Sequence, residues 1–199
     1  MRFLNITVKC TFVISLALLV TMMVTAQQTP DKKTIASQLV AAQEKVIRTL
    51  PKAEDKFHMT REIAPLAFNA GDQVMAGMYA KDLLIQAESM KDDWDYGNAV
   101  HTANLVLGRI ALAAGDIDEA KRLLLLAGKT PGSPQLESFG PDMLFAKELL
   151  EKGEKDVVIQ YFTLCSAFWK MDDGKLAQWK TEVQNNEIPD FGPNVRYVF

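Results

Sequence analysis

The stretch Asn104-Leu-Val-Leu-Gly108-Arg-Ile-Ala-Leu-Ala-Ala-Gly115-Asp-Ile-Asp-Glu-Ala120-Lys-Arg-Leu-Leu124-Leu-Leu-Ala127-Gly-Lys-Thr-Pro131 decides the fold. It is two apolar helical runs broken at Gly115-Asp116. Upstream of the break, Val100, Ala103, Leu107, Ile110 and Ala114 recur at spacings of three and four, which is one face of a helix. Downstream, Leu123, Leu124 and Ala127 carry the pattern on to Gly128. Glycine at 115 permits the left-handed conformation that closes a helix C-terminus. Asp116, with Glu119 three residues on, reads as a capping-box variant that opens the next helix. The two helices are expected to run antiparallel, with Gly108 on one and Ala120 on the other letting their axes sit close.

The same punctuation recurs at Gly71-Asp72 and Gly153-Glu154, offset from the middle copy by 44 and 38 residues. Ile35, Leu39, Ala42, Val46 and Leu50 mark a first amphipathic helix between Thr29-Pro30 and Pro51. A second is expected over about 54–70, carrying Phe57, Ile63, Leu66 and Ala70, with Pro65 kinking it or marking its first turn. Val74, Met75, Met78, Tyr79 and Leu83 give a third, to about Met90. The longest helix, about 95–114, follows the polar break Lys91-Asp92-Asp93. Residues 129–134 form a loop by their turn chemistry. Helices are expected next at about 141–152 and 154–170, and Leu176, Trp179 and Val183 mark a last short one. The chain is therefore all-α, with about eight helices and no alternating strand pattern outside the tail.

Residues 104–131 resemble a tetratricopeptide (TPR) repeat. Leu107-Gly108, Gly115, Ala120, Leu124, Ala127 and Pro131 fall almost on that family's pattern. Weaker copies lie around 60–84 (Ile63-Ala64, Gly71, Ala76, Ala80, Leu83) and 142–165 (Phe145-Ala146, Gly153, Val158, Phe162, Cys165). The offsets exceed the regular repeat of about 34 residues, and Asn104 and Ala111 stand where the family often has Trp and Tyr. The resemblance implies antiparallel helix hairpins stacked as a short α-solenoid, with the first helix of each pair lining a concave surface. A generic helical bundle containing one such hairpin is the alternative. In the best copy the concave face would offer Thr102, Leu105, Arg109 and Leu112, with Arg109 as an anchor for a carboxylate or other acidic group. The family's clamp for a C-terminal carboxylate also needs Asn and Lys, and Val106 and Ala113 stand at two of its places.

The chain opens with Arg2 and Lys9, then an apolar core over Thr11–Val24 and the small-residue ending Val24-Thr25-Ala26. That reads as a signal peptide over 1–26, cleaved after Ala26. The rival is an uncleaved anchor, but the apolar core is shorter than the roughly 20 residues of a spanning helix. Cleavage leaves 27–199 as a single domain, exported to the periplasm or the cell exterior. It also removes two positive charges, taking the net charge from −3 to −5. An acidic domain is a poor match for duplex nucleic acid. Cys10 leaves with the leader and Cys165 remains alone, in an apolar helical context that suits a buried small hydrophobe better than a reactive thiol.

The densest set of functional-looking side chains is Trp94-Asp-Tyr96-Gly-Asn98-Ala-Val-His101-Thr-Ala-Asn104. Asn98, His101 and Asn104 share a helical stripe that could line a ligand groove or form a satisfied network between helices. Tyr96, Asn98, His101, Asn104 and Arg109 are the candidate binding residues. His58 and His101 are the only histidines, and Asp92, Asp93 and Asp95 lack the rest of a calcium loop, so no metal site is expected. No cofactor motif and no catalytic motif is present. Asp190-Phe191-Gly192 matches a kinase tripeptide without that family's other parts. The proline-interrupted tail, about 187–199, is expected to cap the last helices. The reading is a non-catalytic helical-repeat scaffold for a protein or peptide partner. Its alternatives are a self-associating envelope subunit and a small-molecule binder using the Asn98–His101–Asn104 stripe.

Overall fold

Proline and glycine set most of the helix ends. The computed structural model describes residues 31–195. Within them, α1 (Lys32–Thr49) stops before Pro51, and α2 (Ala53–Asn69) joins α3 (Gln73–Ala87) through Gly71-Asp72. α4 (Tyr96–Ala113) joins α5 (Ile117–Gly128) through Gly115-Asp116. After the short α6 (Pro134–Phe139), α7 (Leu144–Glu151) joins α8 (Lys155–Cys165) through Gly153-Glu154. α9 (Lys175–Gln184) and a 3-10 turn (Gly192–Asn194) are the last elements among the described residues. The protein is all-helical, with no strand among the described residues. The expected leader over 1–26 and the end of the tail, 196–199, lie outside them.

Three joints close in the same way. Gly71, Gly115 and Gly153 have φ of +86, +82 and +86°. In each, the glycine N–H donates to the carbonyl three residues back (Phe68, Leu112, Leu150). The N–H of the acid that follows donates to the carbonyl five residues back (Ala67, Ala111, Leu149). These bonds satisfy carbonyls that a helix end leaves bare. The carboxylates of Asp72 and Asp116 then accept from the N–H of Met75 and Glu119, at 2.9 and 3.1 Å, and so cap the following helix. Glu154 makes no such cap. A fourth closure with the same two bonds follows α9, where Asn186 (φ +66°) takes the glycine's place.

α1 packs on α2, α2 on α3, α3 on α4 and α4 on α5. α2 also meets α4, α4 meets α7, and α5 meets α8. Alanines at 64, 67, 76, 80, 99 and 103 fill the space between α2, α3 and α4, because only a methyl group fits where helices sit this close. The C-terminal part is aromatic. Phe145, Tyr161, Phe162, Trp169 and Trp179 belong to one buried cluster, and Phe191 brings the tail into it, 5.0 Å from the Trp179 ring. Asn194 fastens that tail: its Nδ2 donates to the carbonyls of Phe139 and Pro141, and its own carbonyl accepts from Met143 N at 2.7 Å.

Several sequence expectations need correction. Pro65 sits well inside α2, which runs past it, rather than in a first turn. α3 and α8 stop at Ala87 and Cys165, short of the expected Met90 and 170. The predicted loop at 129–134 ends in a helix start: Ser133 Oγ accepts from Leu136 N and Pro134 takes the first helical position. On α1 the predicted apolar stripe is not the packed one. Ala36 is buried and Val40 packs on the alanine cluster, whereas Ile35, Leu39 and Val46 are 37, 41 and 42% exposed. Gly108 does not serve the α4–α5 contact but lies against Phe145 of α7.

Candidate binding groove

The groove is built around a buried acid. Asp95, at the entrance to α4, is fully buried and must therefore be paired. Its carboxylate accepts from Arg61 Nε on α2 and from Asn98 Nδ2 on α4, both at 2.6 Å. Arg61 also donates to Glu62, at 2.5 Å. Asn98 is used at both ends of its amide: Nδ2 donates to Gln135 (3.2 Å) and Oδ1 accepts from Ser133 (2.6 Å). One carboxylate and one amide thus tie α2, the start of α4 and the start of α6 together. Beside them, Asp93 accepts from the backbone N–H of Asp95 and is hydrogen-bonded to His58 Nε2 at 3.0 Å.

Along this network runs a groove of about 310 Å³. α2 contributes Arg61, Glu62, Pro65 and Asn69 to one wall, and α4 contributes Asn98, His101, Thr102 and Arg109 to the other. Leu105, Val106, Leu144 and Phe145 give it an apolar floor, and Asp142 sits at the α7 end. The Asp142 carboxylate accepts from Leu144 N at 2.8 Å. Proline has no N–H, so Pro65 cannot close the carbonyl of Arg61, one turn back on the same wall.

The five candidate residues separate. Asn98, His101 and Arg109 line the groove, joined by Thr102 and Leu105. Asn104 does not: its Nδ2 donates to Val100 O at 2.8 Å, and it lies with Leu107 and Ile110 in a shallower depression on another side of α4. Each step of three residues falls about 60° short of a full helical turn. Two such steps carry Asn104 roughly 120° round from Asn98, so the stripe cannot line one groove. Tyr96 packs on the alanine cluster instead.

His101 Nδ1 lies 3.0 Å from Ala127 O. A carbonyl only accepts, so Nδ1 carries the proton and a neutral ring keeps its lone pair on Nε2. The ring stacks on Tyr161 and meets Phe168 edge-on, which fixes α4 against α8. Arg109 already holds a carboxylate. Its Nε and Nη2 grip Glu148 of α7 at 2.7 to 3.1 Å, and its guanidinium lies 4.3 Å above the Phe68 ring. The anchor that the sequence offered to a partner is thus engaged within the chain.

Beneath the groove, burial pushes the Cys165 thiol and the Tyr161 phenol well above their ordinary ranges, so both stay protonated. No protein-family model matches the chain, and no curated protein or solved structure matches it either. Arg61, Glu62, Asp95 and Asp142 escaped the reading of the sequence as site residues. The available signal was the spacing of four along Arg61, Pro65 and Asn69, which puts polar groups on the α2 face away from buried Ala64 and Ala67. The groove thus sets hydrogen-bonding groups beside an apolar floor.

Proposed function

We propose that the protein is an exported, non-catalytic helical-repeat scaffold whose groove holds an extended segment of a partner protein. The observation that carries this is the identity of the walls. α2, α4 and α7 are the first helices of the three pairs joined by glycine and an acid, and all three contribute side chains to one groove. In a TPR-like array those are the helices that face the partner. The volume is near the low end for ligand clefts, ~300–1,000 Å³, which suits a few side chains rather than a folded domain. A photo-crosslinking amino acid at Thr102 tests the reading in cells. It should join the protein to a defined segment of one partner, mapped by mass spectrometry. Crosslinks at an outward position such as Lys81 with none at Thr102 would sink it. Export is tested by the mass of the mature N-terminus, expected to begin at Gln27.

A second reading, self-association, has its own observation. Val74, Met78 and Ile85 project from α3 at 57 to 74% exposure, and Ile35, Leu39 and Val46 are partly bare on α1. Apolar side chains in rows, rather than singly, mark interaction surfaces. Light scattering should then show a concentration-dependent oligomer that Met78→Glu with Ile85→Glu dissolves.

A further inference from the structure

Away from the groove, α1 has a bare apolar line with cations on both sides, and we infer that this face seats the protein on an anionic lipid surface. Ile35, Leu39, Ala42 and Val46 fall at spacings of four, three and four, which is one line along a helix. All four are exposed, because α1 docks through Ala36 and Val40, about a third of a turn round. Lys32 lies about 50° to one side of the line and Lys45 about 90° to the other, at 100° per residue. Both are exposed, as are Lys33 and Arg48 further round the same helix. The one acid of α1, Glu44, turns to the body of the chain and accepts from the Tyr79 hydroxyl. Even with Asp31 counted, four cations stand against two acids over residues 31–49, in a chain whose net charge is −3.

A bilayer with acidic headgroups matches both halves of this pattern. The apolar line can sink to the boundary of the acyl chains, while the lysines beside it stretch back to the phosphates. Cations near such a surface are attracted to it, and the acidic remainder of the chain is not, so approach through α1 is favoured. The contact lies along the surface: among the described residues no helix is long and apolar enough to cross a membrane. A second copy is a poorer cover for the same face. A two-fold contact of α1 on α1 sets each helix against itself and so brings like charges together.

The probes are phosphatidylcholine vesicles with and without a third of phosphatidylglycerol, sedimented with the mature protein, which lacks the apolar leader. Binding is expected to the anionic vesicles and not to the neutral ones, and should fall as salt is raised. A lysine near an anionic surface is worth about fivefold in binding, so Lys32→Gln with Lys45→Gln should weaken it about tenfold or more. Lys129→Gln with Lys170→Gln removes two exposed cations elsewhere in the chain and should leave binding near wild type. Leu39→Ser with Val46→Ser, both on exposed positions, should abolish binding while circular dichroism shows the helices intact. The lysine pair tests the face without touching its apolar line. No binding, or equal binding to both vesicles, overturns the inference. So does an equal loss in the two lysine pairs, which would assign the effect to charge at large. A solution oligomer that Leu39→Ser with Val46→Ser disperses also overturns it, because the face would then be covered by a second copy.

Discussion

A Cβ placed on Gly108 would lie 2.3 Å from Cε1 of Phe145, so α4 and α7 meet with a ring pressed on bare backbone. Alanine in a helix interior is ordinarily better than glycine by up to ~1 kcal/mol. Here the sign should reverse. Phe145 is 1% exposed and held in the aromatic cluster, so its ring cannot swing aside. Gly108→Ala should lower the unfolding free energy by about 1–3 kcal/mol, the usual scale of overpacking. Gly77→Ala is the control, because its new Cβ would meet Ile110 Cδ1 at an ordinary 3.5 Å. That variant should be neutral or slightly stabilised. Urea unfolding of both proteins settles the matter, and a stabilised Gly108→Ala would refute the contact.

That contact also shows what a single sequence can disclose. The spacing Gly108–Gly115–Ala120 revealed a tight contact and the turn beside it, because those are local demands on backbone and volume. It did not reveal that the tight neighbour is Phe145, since residues 37 positions apart leave no periodic trace of each other. The groove was legible in the same proportion. Thr102, Leu105 and Arg109 lie on the α4 face that the tetratricopeptide resemblance implies is concave, whereas Glu148 and Asp95, which neutralise the groove's arginines, are set by how helices dock. On α1 the apolar arc is wider than one stripe. Periodicity could not choose between the half through Ala36 and Val40 and the half through Ile35 and Leu39, and docking chose the first.

The shared joint gives a cleaner measurement of backbone cost. Nothing lies within 4 Å of a Cβ built on Gly115, while its φ is +82°. Gly115→Ala should therefore cost about 1–2 kcal/mol through left-handed strain alone. Gly115→Asn should cost less, since asparagine tolerates that conformation and Asn186 adopts it at the joint after α9. Denaturant midpoints ordered wild type, Asn, Ala are the expected result. An Ala variant as stable as wild type would mean that the joint is not held left-handed.

The Arg109–Glu148 fork links the groove wall to α7 with both side chains less than a third exposed. Removing one partner leaves a half-buried charge behind, so Glu148→Ala should cost about 1–3 kcal/mol. Glu148→Ala with Arg109→Ala should cost less than the two single changes added together. A double-mutant cycle on unfolding free energies reads this directly. Strict additivity would show that the pair makes no coupled contribution.

The pH dependence of stability follows from two buried groups that stack in one turn of α8. Desolvation is the first cause of the upward shift for both Tyr161 and Cys165, and a hydrogen bond between them only partly relieves the thiol. Tyr79 is shifted the same way, by burial and then by its bond to Glu44. Raised acids hold their protons in the folded chain to a higher pH than in the unfolded one. Below the ordinary thiol value, ~8.5, both states are protonated and these groups contribute no slope. Above it the unfolded chain releases a proton that the folded chain keeps, so the unfolding free energy falls by up to ~1.4 kcal/mol per pH unit for each such group. The thiol acts first, and the phenols follow near their ordinary ~10. Urea midpoints should hence be level from pH 7 to about 8.5 and decline from there to 10. In Cys165→Ala the decline should begin only near the phenol range, because the earliest-ionising group is gone. An unchanged onset in that variant, or rapid labelling of Cys165 by a thiol reagent in the folded protein, would show that the thiol is not held as tightly as its buried position requires.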